Sequence, residues 1–197
     1  MTLKVQLIAI SLLMFVTVAG LVLTTIITAQ NIGNATERSR LANDISGLVI
    51  NQQLLVDDFL DESSDRVLLQ WDLTHTSLDH ALESGNVIFR DSSEYYLIES
   101  IERENARTQK IFSSLRNADL LIDGQPELVE LTKQAAEHLR SEFEISSQQM
   151  SSDALGLAEL AQKRIGLVQS RSVLSMIISL AILSIGFTVL LWILRVS

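Results

Sequence analysis

The 197-residue chain contains no cysteine, which excludes disulfides, thiolate nucleophiles and cysteine-ligated zinc or iron–sulfur sites. Proline occurs once, at Pro126, glycine only eight times, and aromatic residues make up 5%. With so few breakers, the intervening stretches of good helix formers favour helix throughout. Charge is missing altogether from Val5 to Ala29 and from Val173 to Leu194. At about 1.5 Å per residue these segments reach roughly 37 and 33 Å, enough for a hydrocarbon core of about 30 Å. Neither has the polar face that a soluble core helix would show. Both read as transmembrane helices: residues 1–29, with the span over 5–29, and residues 173–195, leaving 196–197 as the start of a cytoplasmic tail. Lys4 gives the first segment the positive start of a signal peptide. Its apolar run exceeds the about 7 to 15 residues of a signal h-region, so an uncleaved anchor is expected.

What remains, residues 30–172, holds all 24 acidic residues and 13 of the 15 basic ones, a net charge of -11. That balance faces water, and it argues against a nucleic-acid partner and against tight docking on anionic lipid. Turn residues break the region at Ser84-Gly85-Asn86 and at Asp123-Gly124-Gln125-Pro126, and Asp61-Glu62-Ser63-Ser64 offers hydroxyls to cap a helix starting at Asp65. Two spans flanking one domain require an even number of helices to bring the chain back to the membrane. The three breaks give four, over 30–60, 64–84, 91–122 and 127–172. The sequence therefore predicts an all-α fold, a membrane-anchored up-down-up-down four-helix bundle between two transmembrane helices.

Apolar residues recur at gaps of three and four along each helix, as in coiled-coil packing. The first seam runs through Leu41, Ile45, Leu48, Gln52, Leu55 and Phe59, the second through Leu68, Trp71, His75, Leu78 and Leu82. The third contains Ile98, Ile101, Asn105, Thr108, Phe112 and Leu115. The fourth follows a looser stripe through Leu128, Leu131, Ala135, Leu139, Phe143, Ser146, Met150, Ala154, Leu157 and Ala161. Counting rise along the four helices puts Gln52, Trp71, His75, Asn105, Thr108 and Ser146 at a common level, about 30 to 41 Å above the membrane.

Such a polar layer admits two readings. Polar residues on a seam fix register and oligomer state. Alternatively they orient a small molecule in a pocket, with Trp71 as apolar wall and Gln52, Gln70, His75, Asn105, Thr108 and Ser146 as candidate ligand contacts. Arg103 and Arg107 are candidate anion contacts, unless they pair with glutamates of their own helix. His75 with Asp79, and His80 with Glu83, share helix faces but supply only two ligands each, so no metal site and no cofactor are expected. Tyr95, Tyr96 and Trp192 suit interfacial anchoring. No nucleophile elbow, phosphate loop or metalloprotease helix is present, and no enzymatic activity is expected.

The order of span, four-helix bundle and span resembles the N-terminal input module of prokaryotic transmembrane receptors: sensor histidine kinases, chemoreceptors and membrane-bound diguanylate cyclases. Asp58-Phe59-Leu60 followed by Arg66-Val67-Leu68-Leu69-Gln70-Trp71 is similar to a helix break and Arg-x-x-x-Gln-Trp pattern of some bacterial and archaeal kinase sensors. The resemblance implies a parallel homodimer in the cytoplasmic (inner) membrane that detects a small molecule or a periplasmic partner. It also implies that the second span passes a helix shift to a cytoplasmic output. The chain ends at Ser197, where the family has a HAMP linker and an output domain, so output is expected in cis or in trans. Flanking charges (Arg38, Arg40, Lys163, Arg164 and Arg171 against Lys4 and Arg195) taken alone favour a cytoplasmic bundle, though the rule weakens for long segments. The resemblance implies the bundle outside and both termini inside.

Overall fold

The computed structural model describes residues 3–61, 64–122 and 129–196, and within them all side chains but those of residues 3–10, 13, 14, 61, 118–122, 129–133 and 189–196. These residues form four helices: α1 (Leu3–Asp61), α2 (Asp65–Ile88), α3 (Tyr95–Ile122) and α4 (Val129–Val196). The expected break at Asp123-Gly124-Gln125-Pro126 lies outside the described residues, as do Glu62, Ser63 and Leu128 and the side chains of Leu131 and Trp192. The chain divides into two compact units, one of Met1–Glu37 with Lys163–Ser197 and one of Arg38–Gln162.

In the first unit, α1 and α4 are each long and apolar enough to cross a membrane. The most apolar 18-residue stretch in each has a mean hydropathy of 1.7, with none of it buried. The half-buried positions Thr17, Leu21, Thr24 and Thr28 on α1, and Ser172, Ser175, Ser179, Leu183 and Gly186 on α4, repeat every three or four residues. Large apolar side chains such as Phe15, Leu23, Ile178 and Phe187 point outward. Small and hydroxyl side chains therefore occupy the face between the two helices, as helix pairs in lipid prefer. Thr24 and Thr25 turn their hydroxyls onto the carbonyls of Gly20 and Leu21 of the preceding turn, at 2.8 and 2.9 Å. A cavity of about 440 Å³ opens between the pair, lined by Leu21, Thr24, Thr28, Ser172, Val173 and Met176 among others.

The second unit is a four-helix bundle in which successive helices run antiparallel. Asn51 meets Thr74 while Gly85 lies against Ile45. His75 meets Asn105 while Gly85 also lies against Ile98. Ser39 bonds Gln162 and Gln53 accepts from Ser151, which closes α1 against α4. The apolar core falls into two clusters. One gathers Ala42, Ile45, Val49, Leu78, Leu82, Ile98, Ile101, Met150, Ala154 and Leu157 around Phe89. The other gathers Leu55, Val56, Phe59, Val67, Trp71, Ile111, Phe112, Leu115 and Phe143.

Ser64 caps α2 in extended conformation (φ -127°, ψ 145°), its hydroxyl accepting from the Val67 N–H at 3.4 Å. The helix does not stop at Ser84-Gly85-Asn86 as the turn residues suggested but continues to Ile88. Gly85 is buried there, and a Cβ on it would stand 3.0 Å from Ile98 Cδ1. The residue type that looked like a break is a point of close helix approach. The turn itself spans residues 89–94, where Phe89 plugs the core and the Ser92 N–H bonds the Phe89 carbonyl at 2.8 Å. The Arg38 guanidinium lies 5.8 Å from the Phe89 ring centroid, a cation–π contact at that end of the bundle. Tyr95, expected as an interfacial anchor, is half-buried against the same core, whereas Tyr96 is exposed. On α4 the expected seam residue Ala135 is exposed and Ala136 packs inward instead.

Candidate functional site

Between the two apolar clusters α1, α3 and α4 each contribute a buried polar side chain, and α2 contributes the half-buried His75. Gln52 on α1, Asn105 and Thr108 on α3, and Ser146 and Ser147 on α4 are all at most 2% exposed. The coiled-coil spacing places them inward, since each has a buried apolar residue one turn away on its own helix.

Three of the expected residues converge. Gln52 Nε2 lies 3.2 Å from His75 Nδ1 and donates to Asn105 Oδ1 at 3.4 Å. His75 Nδ1 is itself 3.2 Å from Asn105 Oδ1. One ring nitrogen cannot serve both neighbours: as acceptor it takes the Gln52 amide proton, and as donor it gives one to Asn105. Asn105 Nδ2 donates to Asp79 Oδ1 at 2.7 Å, and His75 Nε2 stands 3.5 Å from Asp79 Oδ2. The Asp79 side chain is 57% exposed, so the network runs from a fully buried amide to a carboxylate in water. It leaves one defect: Gln52 Oε1 is buried without a hydrogen-bond partner.

The other expected residues take different roles. The Trp71 indole N–H donates to Gln109 Oε1 at 2.8 Å. Its ring stacks on Phe112 with centroids 4.0 Å apart and lies nearly parallel to the His75 ring at 6.4 Å. Thr108 turns its hydroxyl onto the Asn105 carbonyl of its own helix at 2.9 Å. Ser146 donates to Glu104 Oε2 at 2.7 Å, a second polar contact in the same layer. Arg103 holds that Glu104 at 3.5 Å and donates to Ser100 at 2.9 Å, so it pairs with its own helix. Gln70 and Arg107 are exposed and join neither group.

Sequence reasoning missed Gln109, weighed Glu104 only as an ion-pair partner for the arginines of its own helix, and weighed Asp79 only as a metal ligand. These residues flank the seams, where charged and long polar side chains are ordinary, so spacing alone gave no signal. Among the described residues no group of three or more His, Asp or Glu side chains is placed to hold a metal ion. Neither the cavity of the first unit nor a smaller one between α1 and α4 is lined by Gln52, Trp71, His75, Asn105, Thr108 or Ser146. The layer is a linked set of amide, imidazole and carboxylate groups that runs from the core to the surface. No family model, curated protein or solved structure matches this chain.

Proposed function

We propose that the chain is a non-enzymatic signal-input module anchored in the cytoplasmic membrane by two spans, with its bundle outside and both termini inside. In this reading it acts as a parallel homodimer and detects a small molecule or a periplasmic protein. It then passes a helix shift through the bilayer to a cytoplasmic output in cis or in trans. The observation that carries this reading is the continuity of α1 and α4. Each is one unbroken helix that contains both an apolar stretch long enough for a bilayer and a face of the bundle core. A helix continuous through both parts offers a route for a small displacement that a flexible linker would absorb. Coupling of this kind amounts to about 1–3 kcal/mol, comparable to what one or two buried polar contacts contribute.

A second reading, a dimeric membrane tether whose polar layer only sets helix register, is favoured by the way Gln52, His75, Asn105 and Asp79 bond to one another. The two separate in one experiment. With a reporter output fused after Ser197, Asn105→Leu should change basal output, and a tri-glycine insertion between Gln162 and Lys163 should abolish that change. Unchanged output in folded Asn105→Leu protein leaves the tether. Orientation is tested with a cysteine at exposed Ser93, because the Ser92 hydroxyl is buried. Labelling by an impermeant maleimide in intact cells is expected, and labelling only after lysis reverses the topology.

A further inference from the structure

Two copies of this chain meet an electrostatic obstacle, because residues 30–172 carry a net charge of -11 and like-charged surfaces repel. The obstacle is not uniform over the bundle. On α1 no Asp, Glu, Lys or Arg occurs from Ile45 to Val56, more than about three helical turns. On α4, which packs beside α1 through the Ser151–Gln53 and Ser39–Gln162 bonds, residues 145–152 are likewise uncharged. On α2 and α3 no uncharged run exceeds six residues.

A helix whose outer side only meets water has no reason to avoid charge there, and the outer side of α1 has a pattern of its own. Arg40, Asn43, Gly47, Ile50, Leu54 and Asp57 are all exposed and follow one another at gaps of three and four. They form a second heptad seam, charged only at its two ends and turned away from the core seam of Ile45, Gln52 and Phe59. Within it Ile50 and Leu54 are 43% and 57% exposed, and Leu155 on α4, one turn on from Ser151, is 54% exposed. An added Cβ at Gly47 would meet nothing within 4 Å, so a neighbouring backbone can approach there.

We propose that this face of α1, bordered by α4, is where a second copy of the chain packs, the two α1 helices forming a parallel coiled coil about Asn43, Gly47, Ile50 and Leu54. Charge selects the occupant. A basic partner gains most on the acidic faces, whereas a copy of the same net charge is repelled least where charge is missing, and interface cores are depleted of charge. A two-fold axis running beside α1 sets each seam residue against its own copy, and paired seam asparagines such as Asn43 fix register in two-stranded coils. The face is about 26 Å tall and roughly 20 Å, two helix diameters, wide. That is about 500 Å² per copy, below the about 800 Å² of a freely associating pair, and it suits copies already concentrated in one bilayer. The inference rests on the reading of the chain as a membrane-anchored parallel homodimer and adds to it the surface that joins the copies.

The chain has no cysteine, so single cysteines report on the full chain in membranes without background. Asn43→Cys, Gly47→Cys, Ile50→Cys and Leu54→Cys should each form a same-residue disulfide under mild oxidant at least tenfold faster than Ser77→Cys on α2 or Arg107→Cys on α3, which are also exposed. A disulfide needs Cα atoms within about 7 Å, and bridges at four successive levels form only between parallel helices in register. Ile50→Glu in the Gly47→Cys chain should slow its bridge at least tenfold, while Leu73→Glu on α2 leaves it unchanged. Ile50 and Leu73 are exposed, and helical circular dichroism verifies that both variants are folded. Equal rates at all the cysteine positions, or indifference to Ile50→Glu, would overturn the face. Faster bridging at Ser77→Cys or Arg107→Cys would overturn it too but leave a homodimer, and no bridge at any position would remove both.

Discussion

Asn105→Leu weighs the polar layer directly. Asn105 is 2% exposed and its amide touches Gln52, His75 and Asp79 at 3.4, 3.2 and 2.7 Å. A neutral hydrogen bond contributes about 0.5–1.5 kcal/mol net and one to a charged group about 1.5–3. The Asp79 carboxylate is 57% exposed and regains water, so its bond counts near the neutral value. The combined loss is about 2–4 kcal/mol, against a gain of about 1.5–3 kcal/mol for a fully buried leucine. The single variant should therefore be destabilised by about 1 kcal/mol. Replacing Gln52, His75 and Asn105 together by leucine removes donors and acceptors at once, including the unpartnered Gln52 Oε1. Wholesale replacement of a buried polar set is often neutral or stabilising by about 1–4 kcal/mol. The triple variant should thus lie about 2–5 kcal/mol above the single one, or roughly 6–15 °C in melting temperature at about 3 °C per kcal/mol. Unfolding followed by Trp71 fluorescence, in a Trp192→Phe background, measures both. A single variant as stable as the triple would refute the view that these groups satisfy one another.

Four further outcomes follow from other contacts. Ser64→Ala removes the cap of α2 and should cost about 1 kcal/mol in urea unfolding. Gly47→Ala, at an exposed helical position with nothing within 4 Å of the new methyl, should stabilise by up to about 1 kcal/mol. Gly85→Ala should gain less than that or lose stability, because Ile98 must move, and Ile98→Val should restore the gain. Trp71→Phe loses the bond to Gln109 and part of a packed ring, so it should cost at least about 1 kcal/mol, visible as a lower thermal midpoint.

The helical seams were legible because burial repeats with helix period: Ile45, Gln52, Leu55 and Phe59, and every expected residue from Ile98 to Leu115, are buried. Their polar interruptions were legible for the same reason, and this located Gln52, His75 and Asn105. Two kinds of information were not local. Ser84-Gly85-Asn86 carries turn chemistry, yet the helix runs on through Gly85, whose place in the last turn lets the neighbouring helix bring Ile98 close. Asp79, Glu104 and Gln109 sit where any solvated residue would, and only the packing of a partner helix turns them inward. That the Ser147 hydroxyl is buried without a hydrogen-bond partner was invisible for a related reason, since a serine beside a seam reads as satisfied until its surroundings are known.

The division of the core by the polar layer bears on how the bundle opens. The cluster around Trp71 and Phe112 shares no buried residue with the cluster around Ile45 and Ile98. The groups between them are held by hydrogen bonds that water can replace, not by interlocked apolar side chains. Each half then has its own free energy of opening, and the amides of residues 65–71 and 111–115 should exchange with solvent as one set while those of 78–85 and 97–101 exchange as another. Filling the layer with leucine would merge the two sets into one. The bundle thus stacks two apolar layers on four shared helices, with a boundary that no loop or turn marks.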